Sequence, residues 1–317
     1  MQNYPSIAIV ILNWNNYPDT KKCLDSLSKL TYQNTKVILV DNGSQDGSNR
    51  LLKEEYPDIT VLESAKNIGF AGGNNLAIKH ALENDCQYIL LLNNDTEVIE
   101  ENFLTKLVEE FQNNSHIGAV GPKVLQGDGH TESTILPYPS LGHTIWNTLG
   151  MYVPNLEQRK SVDSVTGCCV LVRSEALERV GLLDENYFMY AEETEWFYRM
   201  RNAGWKVIFL PVESIVHKGG ASSMKLENQA VYIERRANVV YTLVKHQQKI
   251  QAAFTIIFML ILLSLRILAS VFRTNQNERL PISMVLDLIT TFHLKWNLAA
   301  STRTIRGKKH ADQQEIT

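Results

Sequence analysis

Over the first 125 residues, short apolar runs rich in β-branched residues alternate with stretches of helical period. The runs at 7–12, 36–40, 59–62, 88–92 and 117–120 are apolar on consecutive positions, as in strands covered on both faces. Between them, 19–30, 48–56, 72–83 and 101–112 read as helices; Cys23, Leu24, Leu27 and Leu30 mark one helical stripe. A β-α-β-α order predicts a mostly parallel sheet with right-handed crossovers, an α/β fold of Rossmann-like type with flanking helices. Ligands of such sheets bind beyond the carboxyl ends of the strands. Residues 126–163, with scattered Gly and Pro and little period, read as one long excursion, a feature usually functional or mobile. A strand is expected at 164–172, a helix at 174–180, a helix running to about 203, a strand at 206–210 and then a loop carrying His217.

The C-terminal pattern is different. Of the 21 residues 252–272, all but Thr255, Ser264, Arg266 and Ser270 are apolar. A helix of that length rises about 31 Å, enough to cross a bilayer core. Pro281 opens an amphipathic stretch, with Ile282, Val285, Leu286, Ile289, Phe292 and Trp296 expected on one face. Both stretches are expected to be membrane-associated helices. The predicted organisation is a catalytic domain over 1–245 and a membrane-associated helical segment with a basic tail over 246–317.

Charge sharpens that division. The chain has 317 residues and a net charge of -3. From residue 245 onward there are 10 Lys and Arg against 4 Asp and Glu, a net of +6, so the remainder carries -9. An acidic body with a basic tail argues against nucleic acid as a partner and for an anionic membrane surface. The composition, 44% hydrophobic and 21% charged, is that of a globular protein. Four cysteines without a CxxC pair predict reduced thiols and no structural zinc. The start, MQNYPSIAIVIL, lacks a basic leader region and reads as a strand.

The strand ends carry the candidate chemistry. They read Asn13-Trp14-Asn15-Asn16, Asp41-Asn42-Gly43-Ser44, Asn67-Ile68-Gly69-Phe70-Ala71-Gly72-Gly73-Asn74-Asn75 and Asn93-Asn94-Asp95-Thr96. Converging on one rim, they describe a site for a polar, phosphate-bearing ligand. Each has a plainer reading as well. Asp41 suits a nucleobase edge or ribose hydroxyl, or an Asx turn with Ser48 as N-cap. Asp95 suits Mg²⁺ or Mn²⁺ with a diphosphate completing the shell, or a turn cap. Glu192, Glu193 and Glu195 suit a general base in a cleft, or complement a helix dipole. A lone His217 is more often structural than a ligand.

Taken together, SIAIVILNWNN, VILVDNGSQDGS, NIGFAGGNN, LLLNNDTEV, the segment from TGCCVLVRSEALERVG through MYAEETEWFYRMRNAGWK, and IVHKGGASS resemble, in order over residues 6–245, the family 2 inverting glycosyltransferases of GT-A fold. NIGFAGGNN with NND resembles the rhamnosyltransferase-like branch. The resemblance implies transfer of a sugar from a nucleoside-diphosphate sugar to a hydroxyl of a lipid-linked or surface-polysaccharide acceptor. It implies that Asp41 reads the base and that Asn13 and Asn15 lie near the nucleotide, with Asn67, Gly69, Gly73, Asn74, Asn93 and Asn94 lining the donor site. Asp95 and His217 would hold the metal, with Asn93 replacing the first acid of the family's DxD motif. Glu193 matches the catalytic base, and Glu192 is its rival. The expected place of work is the cytoplasmic face of the membrane, with homo-oligomerisation an open alternative. Two other readings are a nucleotidyltransferase, whose Gly-rich basic signature NWNN lacks, and a noncatalytic nucleotide-binding descendant, which Asn93 keeps open.

Overall fold

The structure, a computed structural model, describes residues 4–148, 151, 154–218, 229–271 and 283–314. It divides into two compact units, Met1–Tyr138 with Pro154–Lys225, and Pro139–Val153 with Leu226–Thr317.

The first unit is built on a nine-stranded sheet. Strands β1 (Ile7–Asn13), β2 (Thr35–Asp41), β3 (Thr60–Glu63) and β4 (Tyr88–Asn93) form its parallel part. Helices α1 (Tyr17–Ser26), α2 (Ser48–Glu55) and α3 (Gly69–Glu83) supply the crossovers. The spatial order β3-β2-β1-β4 means that the chain winds outward from β1 and then returns to its other side. That reversal opens a crevice at the carboxyl ends of β1 and β4, where open α/β sheets bind ligands.

Beyond β4 the sheet is mixed, which the apolar runs alone do not reveal. Strand β10 (Cys169–Arg173) lies antiparallel between β4 and β6 (Ile117–Gln126). Strand β11 (Lys206–His217) runs parallel to β6 and antiparallel to β5 (Thr96–Val98) and β8 (Lys160–Ser161). The expected single strand over 164–172 is broken at Gly167 into β9 (Ser164–Val165) and β10; β9 pairs with β7 (Ile135–Leu136) as a separate ribbon. β11 is longer than the expected 206–210. It passes Pro211 by a register shift between Leu210 and Glu213, a bulge that lets a residue without an N–H sit in a ladder. His217 is therefore the last residue of a strand and not part of a loop.

Period two along the strands divides the core between the faces. Ile7, Ile9, Ile11, Leu90 and Leu92 pack with Cys23 and Leu24 of α1 and with Phe103, Leu107 and Phe111 of α4 (Phe103–Asn113). Ala8, Val10, Ile89 and Leu91 pack with Ala77, Ile78 and Ala81 of α3, with Leu177 of α6 (Ser174–Val180), and with Trp196, Phe197 and Met200 of α7 (Glu192–Asn202). All four cysteines are buried and free.

The second unit is helical: α5 (Leu141–Thr148), α8 (Gln229–Lys245), α9 (Lys249–Val271) and α10 (Ser283–Gln314). The 126–163 excursion thus contains regular elements and contributes α5 to this unit. Helix α8 packs on α9 and α10 and belongs to this compact unit. Helix α9 turns Ala252, Thr255, Met259, Leu263 and Ile267 inward and leaves Phe254, Ile257, Ile261, Leu265 and Leu268 exposed. On α10, Met284, Leu288, Phe292 and Ala299 are buried, whereas Leu286 and Ile289 are exposed. The buried row is thus offset from the expected stripe and shares only Phe292 with its placed members, because the i, i+4, i+8 row faces the neighbouring helix. Gly150, Phe272, Pro281, Ile282 and the Gly219-Gly220-Ala221-Ser222-Ser223 run lie outside the described residues.

Candidate active site

The β1–β2 end of the rim is a closed polar network. Parallel register sets Asn13 beside Asp41. Asn13 is fully buried; its Nδ2 donates to Asp41 Oδ1 at 3.0 Å, Ser48 Oγ at 2.9 Å and Ser44 Oγ at 3.2 Å. Its Oδ1 accepts from Thr20 Oγ1 at 2.8 Å, and Ser44 N donates to Asp41 Oδ2 at 3.1 Å. Asn15 takes a left-handed φ of 49° and accepts from Gln45 N at 2.7 Å. Gly47, at φ 80°, occupies the cap position of α2, so Ser48 begins the helix and is not its N-cap. Asn13 and Asp41 are first of all the frame of the 42–48 loop.

Helix α3 starts at Gly69, three residues earlier than expected, so GFAGGNN forms its first two turns. Gly69 has φ +79°, and a Cβ there would lie 2.3 Å from the Phe188 carbonyl oxygen, so both conformation and space require glycine. Asn67 Oδ1 accepts from Gly69 N at 2.9 Å and from Asn42 Nδ2 at 3.0 Å, holding the turn. Gly73 is different: its added Cβ would lie 2.4 Å from Leu12 of β1. Asn74 is buried and donates to Phe70 O at 2.9 Å. Gly73 thus lets α3 approach β1 closely, and the Asn74 bond lies within the helix's own first turns.

The second focus lies where β4, β5, β6 and β11 end. Antiparallel pairing of β5 and β11 sets His217 opposite Thr96, and Lys218 N donates to Asp95 O at 3.0 Å. His217 Nε2 is consequently 3.2 Å from Asp95 Oδ1 and 3.4 Å from Asn93 Nδ2. Asp95 and His217 are only 7% and 8% exposed. Neighbouring Asn94 turns away and donates to Thr20 Oγ1 at 2.8 Å, tying this turn to α1.

Glu132 completes the cluster and had no place in the sequence reading. Its carboxylate Oε2 meets His217 Nδ1 at 2.7 Å. After β6 the chain reverses through Gly127-Asp128-Gly129, with Gly129 at φ +85°, and returns along β6 by Glu132 N to Val124 O at 2.8 Å. The signal was legible as a Gly-Asp-Gly turn followed by a polar residue. It was lost in the long excursion. A cavity of ≈ 420 Å³ lined by Gln126, Gly127, Asp128, Glu132 and Lys218 opens here, a size suited to a small polar ligand.

The carboxylates of Ala191-Glu192-Glu193-Thr194-Glu195 separate by environment. Tyr190 and Ala191 both take positive φ, 72° and 71°, immediately before α7. Two successive non-glycine residues in that region are costly, and such strain clusters at functional sites. Glu195 is fully buried and pairs with Arg199 Nε at 2.9 Å; Arg199 Nη2 also donates to Leu182 O at 2.6 Å. That pair is structural, binding α7 to the 180–182 segment. Glu192 is 3% exposed, while Glu193 is less buried.

Electrostatics show which acids converge. The Cys168 thiol is pushed far up, first by burial and then by the charges of Glu132, Asp95 and Glu193. For His217, burial favours the neutral ring, but the bonds to Asp95 and Glu132 outweigh it and raise the pKa to about 10. One imidazole nitrogen and carboxylate oxygens, with an amide oxygen available from Asn93, are donors suited to Mg²⁺ or Mn²⁺. The side chains of Asp95 and His217 fit such an ion.

Comparison with known proteins agrees with this architecture. The sequence matches Glycosyl transferase family 2 over residues 8–181. It is 25% identical over 235 residues to a low-salt glycan biosynthesis hexosyltransferase of Haloferax volcanii, covering 73% of each chain. It is 26% identical over 255 residues to the N-acetylglucosaminyl-diphospho-decaprenol L-rhamnosyltransferase of Mycobacterium tuberculosis, covering 72% of this chain and 83% of that one. The fold is similar to that of a mannosyltransferase from Pyrobaculum calidifontis in complex with GDP-Man and Mn²⁺, with a TM-score of 0.56, 17% identity and coverage of 93% and 88%. With more than half of its length within the family match, the chain belongs to glycosyl transferase family 2 and is a glycosyltransferase.

Proposed function

We propose that this enzyme transfers a deoxysugar, rhamnose first among candidates, from a thymidine or uridine diphosphate to a hydroxyl of a lipid-linked or surface-glycan acceptor, with inversion. The observation that carries the reading is the Asp95–His217 pair, 3.2 Å apart at the ends of β4 and β11. Asp95 and His217 would hold a divalent cation, which supplies neutralising charge to a diphosphate leaving group. The donor lies along the rim, its base toward Asp41 and its diphosphate toward Asp95. Glu193 takes the proton from the acceptor hydroxyl as that oxygen attacks the anomeric carbon from the face opposite the diphosphate. Binding both substrates in line supplies a further part of the rate. Glu193 is favoured over Glu192 because it stands at the motif position that the family resemblance marks as the base, and it is the less buried of the two.

The choice of donor and acceptor rests on relatives named as rhamnosyltransferases, one acting on a diphospho-decaprenol and one a dTDP-rhamnosyl transferase of Shigella flexneri. Among the described residues one helix, Lys249–Ser270 with mean hydropathy 2.4, is long and apolar enough to cross a membrane. The reading places the enzyme at the cytoplasmic face of the membrane, where nucleotide sugars are made. The exposed apolar row of α9 would meet lipid, and the basic C-terminal residues would meet lipid phosphates.

The test is nucleotide release and product analysis with dTDP-, UDP- and GDP-sugars, with and without Mn²⁺. Release of a nucleoside diphosphate with a product of inverted anomeric configuration is expected, most rapidly from dTDP-rhamnose. Retention of configuration, or release of pyrophosphate in place of a nucleoside diphosphate, would reject the reading.

A further inference from the structure

We propose that Glu132 is a positioning residue that fixes the ring orientation and tautomer of His217 and thereby sets the affinity of the site for its divalent cation. The proposal rests on the reading that Asp95 and His217 hold that cation.

The two nitrogens of an imidazole point to opposite edges of the ring. Nε2 faces Asp95 Oδ1 at 3.2 Å and Asn93 Nδ2 at 3.4 Å. Nδ1 faces Glu132 Oε2 at 2.7 Å. One ion cannot sit on both edges, so an ion shared by Asp95 and Nε2 leaves Glu132 outside its coordination shell. From there Glu132 accepts a hydrogen bond from Nδ1–H, which leaves the Nε2 lone pair directed at the ion. A carboxylate behind a metal-binding histidine also makes the ring a stronger donor, and losing such a partner typically costs about 10- to 100-fold in metal affinity.

The backbone builds this contact deliberately. Glu132 is delivered by the chain reversal after β6, with Gly129 N bonded to Gln126 O at 2.9 Å and Glu132 N to Val124 O at 2.8 Å. Parallel register sets Gln126 opposite His217 on the adjacent strand. The turn therefore folds back over the strand end on which the histidine stands. The arrangement also bears on Asn93. With one carboxylate fewer at the strand end than the family motif supplies, a more basic histidine offsets part of the lost donor strength.

The experiment uses the full chain in wild-type form and as Glu132→Gln, Glu132→Asp and Glu132→Leu. Mn²⁺ is titrated by electron paramagnetic resonance in the presence of dTDP or UDP, whichever the wild type binds more tightly. In parallel, ¹⁵N spectra read the tautomer of the His217 ring with diamagnetic Mg²⁺ and the same nucleotide bound. Glu132→Leu is expected to weaken Mn²⁺ binding about 10- to 100-fold and to lose the wild-type ring signature. Glu132→Gln keeps an acceptor oxygen for Nδ1–H and should recover both in part. Equal Mn²⁺ affinity in all four proteins would overturn the proposal. So would loss of binding in Glu132→Gln with the histidine tautomer unchanged, which would make Glu132 a direct ligand. A wild type that binds no Mn²⁺ with either nucleotide would instead remove the metal reading on which the proposal stands.

Discussion

The two ends of the rim are made of the same residue types and used differently. At the β1–β2 end, Asn13, Ser44, Ser48, Thr20 and Asp41 bond to one another, and Asn13 alone contacts four of them. At the β4–β11 end, Asp95, His217 and Glu132 converge with acceptors on both edges of one imidazole. The first network satisfies itself, as buried polar groups must. The second concentrates negative charge beside one ring, an arrangement that a cation would relieve. Polar residues at strand ends thus differ in use: some build the loops, and others converge on a single buried ring.

The contrast can be broken by substitution. Asp95→Ala should have the largest effect on turnover, at least about a thousandfold, because several kcal/mol of charge stabilisation at the leaving group depend on it. Its circular dichroism spectrum should remain that of the wild type. Glu193→Gln should lower turnover by about 100- to 10,000-fold and barely change donor affinity. Should Glu192→Gln show that loss in its place, the two acids exchange roles. Glu195→Ala belongs with the scaffold, since it removes the buried carboxylate from the partly buried Arg199 and leaves it only backbone carbonyls; a loss of about 3 kcal/mol in urea unfolding is expected. The mildest of these changes is Asn13→Ala, predicted to cost about 1–3 kcal/mol of stability by stranding its partners. An Asn13→Ala protein with full stability and no nucleotide binding would erase the distinction between the two ends.

Much of the fold was legible because its first half obeys simple periods. Apolar runs such as Ile7–Leu12 and Tyr88–Leu92 are buried on both faces, and the crossover helices lie between them. The second half was harder to read. β10 pairs antiparallel through contacts far away in sequence, 79 residues between Val170 and Leu91 for example, and no local pattern encodes a partner at that distance. β11 hides behind Pro211, which argues for a strand end until the bulge is seen. In the site, Asp95, His217 and Glu193 could be named as candidates because they stand at positions that the family resemblance marks. Glu132 could not, since only the return of the chain after Gly129 brings it to His217. Gly73 shows the converse: the pattern marks it as a candidate for the donor site, and only the structure shows that it also makes room for Leu12 of β1.

The central claim is that the β4–β11 end binds the diphosphate through a divalent cation held by Asp95 and His217. Calorimetric titration of the wild type with dTDP and UDP, in Mn²⁺ and then in excess chelator, tests it directly, with Asp95→Ala run alongside. The account predicts that chelation weakens nucleotide binding at least about tenfold, corresponding to about 1.4 kcal/mol, in the wild type and has little further effect in Asp95→Ala. Tight binding of either nucleotide by the wild type, undiminished by chelator, would contradict it.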